Sequence, residues 1–534
     1  MSAAEAGISK QDGWKVLLLV ALWFGSTAWL RPLMLPDEGR YASVALEMLH
    51  SGDWLTPTLN GLPFFHKPPL FYWISGAALM LTGSNELAAR AASLVGAAMG
   101  AMALYLFVRR WCGMLSARRA VIVLAVQPLF FLGAQFANLD MLVAGCITAT
   151  VLALAHAAQS FEAGEADRRA LWLAYGLAAL GVLAKGLIGF VLPAMIVGLW
   201  LILRRRWPSL LALLSLPGAL LFLLIAAPWF VLMQQRFDGF LHYFFVVQHF
   251  QRFAAGGFNN AQPFWFYPAV LAVCSLPCIL WSRQAFTRGY WRAGGVLGDV
   301  RLLMALMAAC VTFFFSLPQS KLIGYVLPAV PALAWLMADA GHQAFASRRG
   351  RGGWRASLAL AALIGLAVVL ALTVNQRYSA RHMGQVLKAQ RQLGEPVYML
   401  KEYVYDLPFY AGLDQPVRIV DDWHNPDIAR RDNWRREVID ADAFDPALAS
   451  HLLITPQELP AALCGKGAAW VVGDAQAPRW LPLLAQTPPV FSEHGQTLWR
   501  VDTRRGSPCL AAQKRPVAAQ QIGSAGDQYE HGGE

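Results

Sequence analysis

Apolar positions dominate the first 374 residues of this chain, in long runs cut by short polar or basic stretches. Runs that approach the ~20 residues needed to cross the hydrocarbon core of a bilayer read as transmembrane helices. They fall at 14–33, 86–107, 120–136, 141–159, 170–185, 187–203, 209–231, 264–281, 302–317, 323–340 and 357–374. The pattern predicts roughly eleven spans, with thirteen as the alternative count. The long stretch 170–203 is divided at Lys185-Gly186, where a charge and a helix-weakening glycine interrupt it. After Asn375 the pattern becomes that of an ordinary soluble chain. There 396–400, 417–420, 469–472 and 496–501 predict strands, and 403–411 and 477–484 predict short helices. The expected architecture is a multi-pass α-helical membrane protein over 1–374, with juxtamembrane helices in 34–85. A small extracytoplasmic α/β domain over 375–512 follows, and then a polar tail, 513–534, expected to be disordered.

Composition agrees with the pattern: 57% of the 534 residues are hydrophobic and 14% charged, against roughly a quarter charged in soluble domains. The net charge of +11 would suit nucleic acid, but its distribution excludes that partner. Basic residues cluster between apolar runs, at Arg109-Arg110, Arg118-Arg119, Arg168-Arg169, Arg204 to Arg206, Arg283 to Arg292, and Arg348-Arg349 with Arg351. Placing every cluster on the cytoplasmic side gives a consistent threading. The N-terminus is then cytoplasmic, and the soluble domain faces outward. The first apolar run lacks a small-residue cleavage site and reads as a retained anchor. Ionisable groups are almost absent from the span interiors, which disfavours a lipid or solute transport path. Of seven cysteines, only Cys464 and Cys509 fall in the soluble part, where an oxidising compartment would allow pairing.

Polar chemistry gathers in the outer loops, above all in the first. In Leu35-Pro36-Asp37-Glu38-Gly39-Arg40-Tyr41 a proline before two acids is a helix-start signal. Tyr41, Val44, Ala45, Met48 and Leu49 then recur at helical spacing, opposite Arg40, Ser43, Glu47 and His50. This predicts an amphipathic helix lying along the interface. Asp37 reads either as a capping acid paired with Arg40 at i+3, or as a general base or electrostatic partner for a sugar substrate. Further on, Phe64-Phe65-His66-Lys67-Pro68-Pro69-Leu70-Phe71-Tyr72-Trp73 sets a lysine among interfacial aromatics. Lys67 is suited to a lipid phosphate, with snorkelling as the plainer alternative. His66 is either polar surface or, with His249, half of a divalent-metal pair.

Other candidates belong to the same face. Asp140 at a span junction is a helix cap or a site acid. Arg252, within Gln248-His249-Phe250-Gln251-Arg252-Phe253, offers a bidentate fork for phosphate. Lys321 and Tyr325, one helical turn apart at a span start, are expected to donate to the same phosphate, or else to anchor the interface.

These motifs resemble the membrane-embedded GT-C glycosyltransferases, in the aminoarabinose transferase branch related to protein O-mannosyltransferases. The matching pieces are Asp37 to Tyr41, Glu47 to Trp54, Lys67-Pro68-Pro69-Leu70, Asn85 to Arg90, Leu139-Asp140-Met141, Ala184-Lys185-Gly186 and the 321–325 region, with a looser match at Asp406-Leu407-Pro408-Phe409-Tyr410. The resemblance implies inverting transfer of an amino sugar from polyprenyl (undecaprenyl) phosphate to lipid A or another envelope acceptor. The expected location is the periplasmic face of a bacterial inner membrane. Asp37 is then the catalytic carboxylate. Lys67, Arg252, Tyr325, Lys321 and Arg40 form the expected donor-phosphate set, with Glu38, Asp140 and Lys185 in support. A zinc or magnesium ion enters only through His66 and His249, since the family often has glutamate where this chain has His66 and an acidic residue at Gln248. A protein or polysaccharide glycosyltransferase of the same fold is the alternative enzyme.

Overall fold

The computed structural model describes residues 3–251, 260–342, 347–430, 433–464 and 467–502, without the side chains of 3–12, 249–251 and 429–430. The tail expected at 513–534 lies outside the described residues. Packing divides the chain into two compact units. The first comprises Met1–Gln390, Val404–Pro416 and Asn425–Ser450; the second comprises Arg391–Tyr403, Val417–His424 and His451–Glu534. The dividing line therefore does not fall at residue 375, because residues 375–390 and two later segments, Val404–Pro416 and Asn425–Ser450, pack into the helical unit.

In the first unit six described helices are long and apolar enough to cross a membrane: Ala91–Cys112, Leu139–Glu162, Leu216–Arg236, Gly295–Ser316, Ile323–Ala340 and Arg348–Val374. Two bent pairs raise the number to eight, Met114–Val126 with Pro128–Ala134 at 70° and Phe266–Cys274 with Cys278–Phe286 at 117°. Both bends fall at a proline, Pro128 and Pro277, which cannot continue the backbone ladder of the helix before it. Three shorter apolar helices, Gly13–Gly25, Leu70–Thr82 and Ile188–Leu203, complete the set among the described residues. The Ile188–Leu203 helix is parted from the Arg168–Lys185 helix before it at Gly186, whose φ of 89° only glycine adopts readily.

Burial separates the centre from the rim. The apolar window of Leu139–Glu162 is 83% buried and that of Arg348–Val374 only 17%, so the first is the hub and the second presents Leu360, Leu363 and Leu370 outward. An apolar exterior over a packed interior is what a hydrocarbon solvent requires. The hub meets Ala91–Cys112 through facing glycines: a Cβ on Gly145 would land on the Gly96 carbonyl. Close backbone approach at small residues is the usual means of packing helices in lipid.

The first loop supplies a hairpin, β1 (Thr58–Leu59) and β2 (Leu62–Pro63), turned by Asn60 and Gly61 at φ of 56° and 77°. The second unit is built on a six-stranded sheet of β3 (Val397–Leu400), β4 (Arg418–Val420), β5 (Leu453–Ile454), β6 (Ala468–Asp474), β7 (Pro489–Glu493) and β8 (Gln496–Asp502). Their order is β5-β4-β3-β6-β8-β7, with the first four parallel and the last two antiparallel. The periodicity reads β3, β4, β6 and β8. It misses β5, only two residues long, and the proline-led β7. Trp470, Tyr398, Val471 and Leu498 are fully buried in its core, and Cys464 of this unit is disulfide-bonded.

Candidate active site

Pro36 precedes a helix over Asp37–Ser51 that stops at Gly52, left-handed at φ 70°. Asp37 occupies its first position with a side chain 29% exposed. Its carboxylate accepts the side-chain amide of Asn138 at 3.3 Å and lies 3.8 Å from the Arg40 guanidinium. Asn138 also caps the hub helix, its carbonyl accepting the Asp140 amide at 3.0 Å. Asp140 is buried and ion-paired with the Lys185 ammonium, which stands at the end of the Arg168–Lys185 helix. That ammonium also sits 4.1 Å from the centre of the Tyr325 ring. Gly324, next to the tyrosine, lies so close to Asp140 that a Cβ there would strike its Oδ2. A continuous polar chain, Asp37–Asn138–Asp140–Lys185–Tyr325, thus joins four elements at one place.

Glu38 holds this junction. It is fully buried and paired with both Arg31 and Arg90, the latter at 2.8 Å. It also accepts the amides of Met34 at 3.0 Å and Ala137 at 2.7 Å. Burial alone would raise its pKa, but the two guanidiniums and their hydrogen bonds outweigh that and bring it down to about 2. Arg90 in turn donates to the carbonyls of Ala28, Arg31 and Pro32, which ties the turn after the Gly13–Gly25 helix to Glu38. The sequence expectation of a supporting residue for Glu38 therefore becomes a buried strut.

The helix over Asp37–Ser51 does not keep a wet polar face. Ser43 donates to the Tyr405 carbonyl at 2.8 Å, and Gly39 lies against Asp406. Arg40 binds Glu437 at 3.0 Å, with its guanidinium 4.7 Å from the Tyr405 ring centre. Glu47 accepts Thr58 Oγ1 at 2.9 Å and the amides of Asn60 at 2.6 Å and Gly61 at 2.9 Å, which secures the hairpin. Protein groups therefore replace the water expected on that face.

Lys67 is half-buried in the bend that leads through Pro68 and Pro69 into the Leu70–Thr82 helix. His66 beside it is buried, stacked on Phe64 with ring centres 4.9 Å apart. Its Nε2 lies 3.1 Å from the Tyr243 hydroxyl, which donates to Asp440 at 2.9 Å and accepts from Gln248 at 2.7 Å. Among the described residues no group of three or more His, Cys, Asp or Glu side chains could hold a metal. Arg252 and the side chain of His249 fall outside the description.

Lys321 and Tyr325 turn to different neighbours. Leu322 is extended, so the helical register begins only at Ile323. The Lys321 ammonium donates to the carbonyls of Gln262 at 2.8 Å and Pro318 at 2.5 Å, which ties 260–262 to 318–320. Tyr325 faces Lys185 instead. The residues that sequence reasoning missed are Asn138 as a partner of Asp37, and Tyr405, Glu437, Asp440 and Phe444, whose ring packs edge-on against Phe65 with centres 4.7 Å apart. The last four come from segments with no apolar signature. Only the motif around Asp406 hinted at them.

The family model for dolichyl-phosphate-mannose-protein mannosyltransferase matches residues 66–232. Undecaprenyl phosphate-alpha-4-amino-4-deoxy-L-arabinose arabinosyl transferase 1 of Sodalis glossinidius is 35% identical over 350 residues, covering 63% of this chain and 61% of that protein. The transferase of the same description from Erwinia tasmaniensis is 32% identical over 361 residues, covering 66% and 64%. The chain thus spans less than two thirds of the length of these relatives. The crystal structure of ArnT from Cupriavidus metallidurans bound to undecaprenyl phosphate superposes with a TM-score of 0.74 at 23% identity, covering 93% of this chain and 98% of that one. Its apo state gives 0.75 at 22% identity, covering 94% and 99%. This chain has the GT-C fold, and its sequence is similar to the aminoarabinose transferases, as the first-loop motifs implied.

Proposed function

We propose that the chain is a glycosyltransferase of a bacterial inner membrane that moves an amino sugar from undecaprenyl phosphate to lipid A or another envelope acceptor on the periplasmic face. The similarity to arabinosyl transferases over 350 residues supports the reaction class. The observation that carries the site is the polar chain that ends in the half-exposed carboxylate of Asp37.

In the transfer, the bond from the sugar's anomeric carbon to the phosphate oxygen breaks, and the phosphate leaves with the electron pair. A new bond forms from that carbon to the acceptor oxygen on the opposite face. Charge grows on the leaving phosphate, and cationic donors stabilise it. Lys67 and Arg252 are assigned this role, with Tyr325 as a neutral donor. Lys185, neutralised by Asp140, fixes Tyr325 from below. Arg40 and Lys321 are bound by Glu437 and by loop carbonyls, and are assigned to the frame. If the acceptor is a lipid A phosphate, no proton need be removed, and Asp37 orients it and stabilises positive charge on the sugar. If the acceptor is a hydroxyl, Asp37 takes its proton.

The test is transfer by the purified protein from defined polyprenyl-phosphate sugars to lipid A, with Asp37→Asn beside it. Loss of transfer in a folded variant is expected; full activity would remove Asp37 from the site. The mannosyltransferase family match over 66–232 favours a protein acceptor as the second reading, which unchanged lipid A in cells with and without the protein would support. A divalent metal is proposed only as a partner of His66, and transfer unaffected by chelator would dismiss it.

A further inference from the structure

Two carboxylates compete for one guanidinium at the start of the first-loop helix. Arg40 Nη1 lies 3.0 Å from Glu437 and 3.8 Å from Asp37. Glu437 is the more buried of the two, 9% exposed against 29% for Asp37. It is held by a second bond, the Tyr405 hydroxyl donating to its other oxygen at 2.7 Å. Tyr405 also packs its ring against the guanidinium and is fixed through its carbonyl by Ser43 of the same helix. Coulomb attraction grows as distance and local dielectric fall, so the closer, drier partner holds the cation.

We infer that Glu437 is a positioning residue for the transfer reaction: by holding Arg40 through its charge, it keeps the Asp37 carboxylate turned toward Asn138 and the substrate instead of locked in an ion pair. The inference rests on the proposed role of Asp37. When Glu437 loses its charge, Arg40 keeps a buried guanidinium whose nearest remaining carboxylate is Asp37. The 3.8 Å separation then closes into a direct pair, and the carboxylate's oxygens are no longer available to acceptor or sugar. Glu437 lies 400 residues from Asp37 in sequence and acts on it through Arg40, the cation that the two carboxylates share.

The experiment uses the full-length protein in detergent, an undecaprenyl-phosphate-linked amino sugar as donor and lipid A as acceptor. Glu437→Gln is expected to lower kcat by about 10-fold or more, with donor KM within about two-fold of wild type. The double variant Arg40→Met with Glu437→Gln removes the capturing cation and recovers kcat to within about three-fold. A purely structural role would leave the double variant as impaired as the single or worse. Should Glu437→Gln fail to accumulate, Tyr405→Phe carries the test, since it removes a hydrogen bond that holds Glu437 in place and lowers kcat about three-fold in the same direction. Unchanged kcat in the folded single variant, or no recovery in the double, overturns the inference. Full activity in Asp37→Asn would instead remove the functional reading beneath it.

Discussion

Asn138 donates its side-chain amide to the Asp37 carboxylate at 3.3 Å while its own carbonyl caps the hub helix through the Asp140 amide at 3.0 Å. One residue therefore anchors a helix and orients the candidate catalytic acid. Asn138→Asp separates the two duties. Aspartate caps as well as asparagine, but it sets a second negative oxygen against Asp37 in place of a donor. Stability should change by less than about 1 kcal/mol, whereas transfer should fall by about 100-fold. Thermal unfolding in detergent and initial rates measured on the same preparation check this, and an active Asn138→Asp protein would contradict it.

The fate of Lys185 marks what the sequence could and could not say. The helix start at Pro36, the i+3 relation of Asp37 and Arg40, and the break at Lys185-Gly186 are local signals and could be read directly. The pairing of Lys185 with Asp140 joins the ends of two helices 45 residues apart, and no periodicity encodes it. The amphipathic reading of 37–51 located the helix but assigned its polar side to water. Glu437 and Tyr405, more than 350 residues downstream, occupy that side instead. The expected Lys321–Tyr325 pairing assumed one continuous helix, and the extended Leu322 sends the two side chains apart.

Glu38 predicts a stability defect with no chemical component. Both of its guanidinium partners are buried, so Glu38→Ala leaves two charges without their counter-ion. Losses of this kind are about 3–5 kcal/mol, and the variant should unfold well below wild type or fail to accumulate. Its pKa near 2 means the strut is charged at any physiological pH; the stability it supplies is present above the ordinary glutamate range and is lost only as pH falls toward 2. A Glu38→Ala protein with wild-type thermal stability would refute the assignment.

Gly324→Ala isolates the Asp140–Lys185–Tyr325 end of the polar chain. The added methyl would strike Asp140 Oδ2, so the carboxylate must swing off Lys185 or the 323–329 turn must shift. Either movement displaces Tyr325, whose ring rests 4.1 Å from the ammonium. A drop in transfer of about 10-fold is expected, read mainly in donor KM if Tyr325 binds the phosphate. Gly83→Ala makes a poor control because its φ is 81°, so Gly198→Ala, with open space around it, should be compared and should stay near wild type.

Asp406 gives the protein a pH dependence near neutrality. The residue is fully buried against Gly39, and its Oδ2 accepts Ser379 Oγ at 2.7 Å and the Ala380 amide at 2.9 Å. Its Oδ1 is buried without a partner. Burial pushes its pKa up to about 7 against the lowering effect of those hydrogen bonds, and the nearby charge of Glu38 adds to the rise. Tyr410, a second titratable neighbour, is itself raised by burial, and Glu38 is already charged, so neither changes state in this range. The sign follows from a folded pKa above the unfolded one, which lies near ~4. Stability linked to Asp406 is fully present below ~4 and declines as pH rises to about 7, by about 1.4 kcal/mol for each unit crossed. Asp406→Asn cannot ionise and should flatten that slope, so the difference between the two proteins should shift in favour of the variant between pH 5 and 8, and equal slopes in thermal unfolding would show that Asp406 does not titrate there.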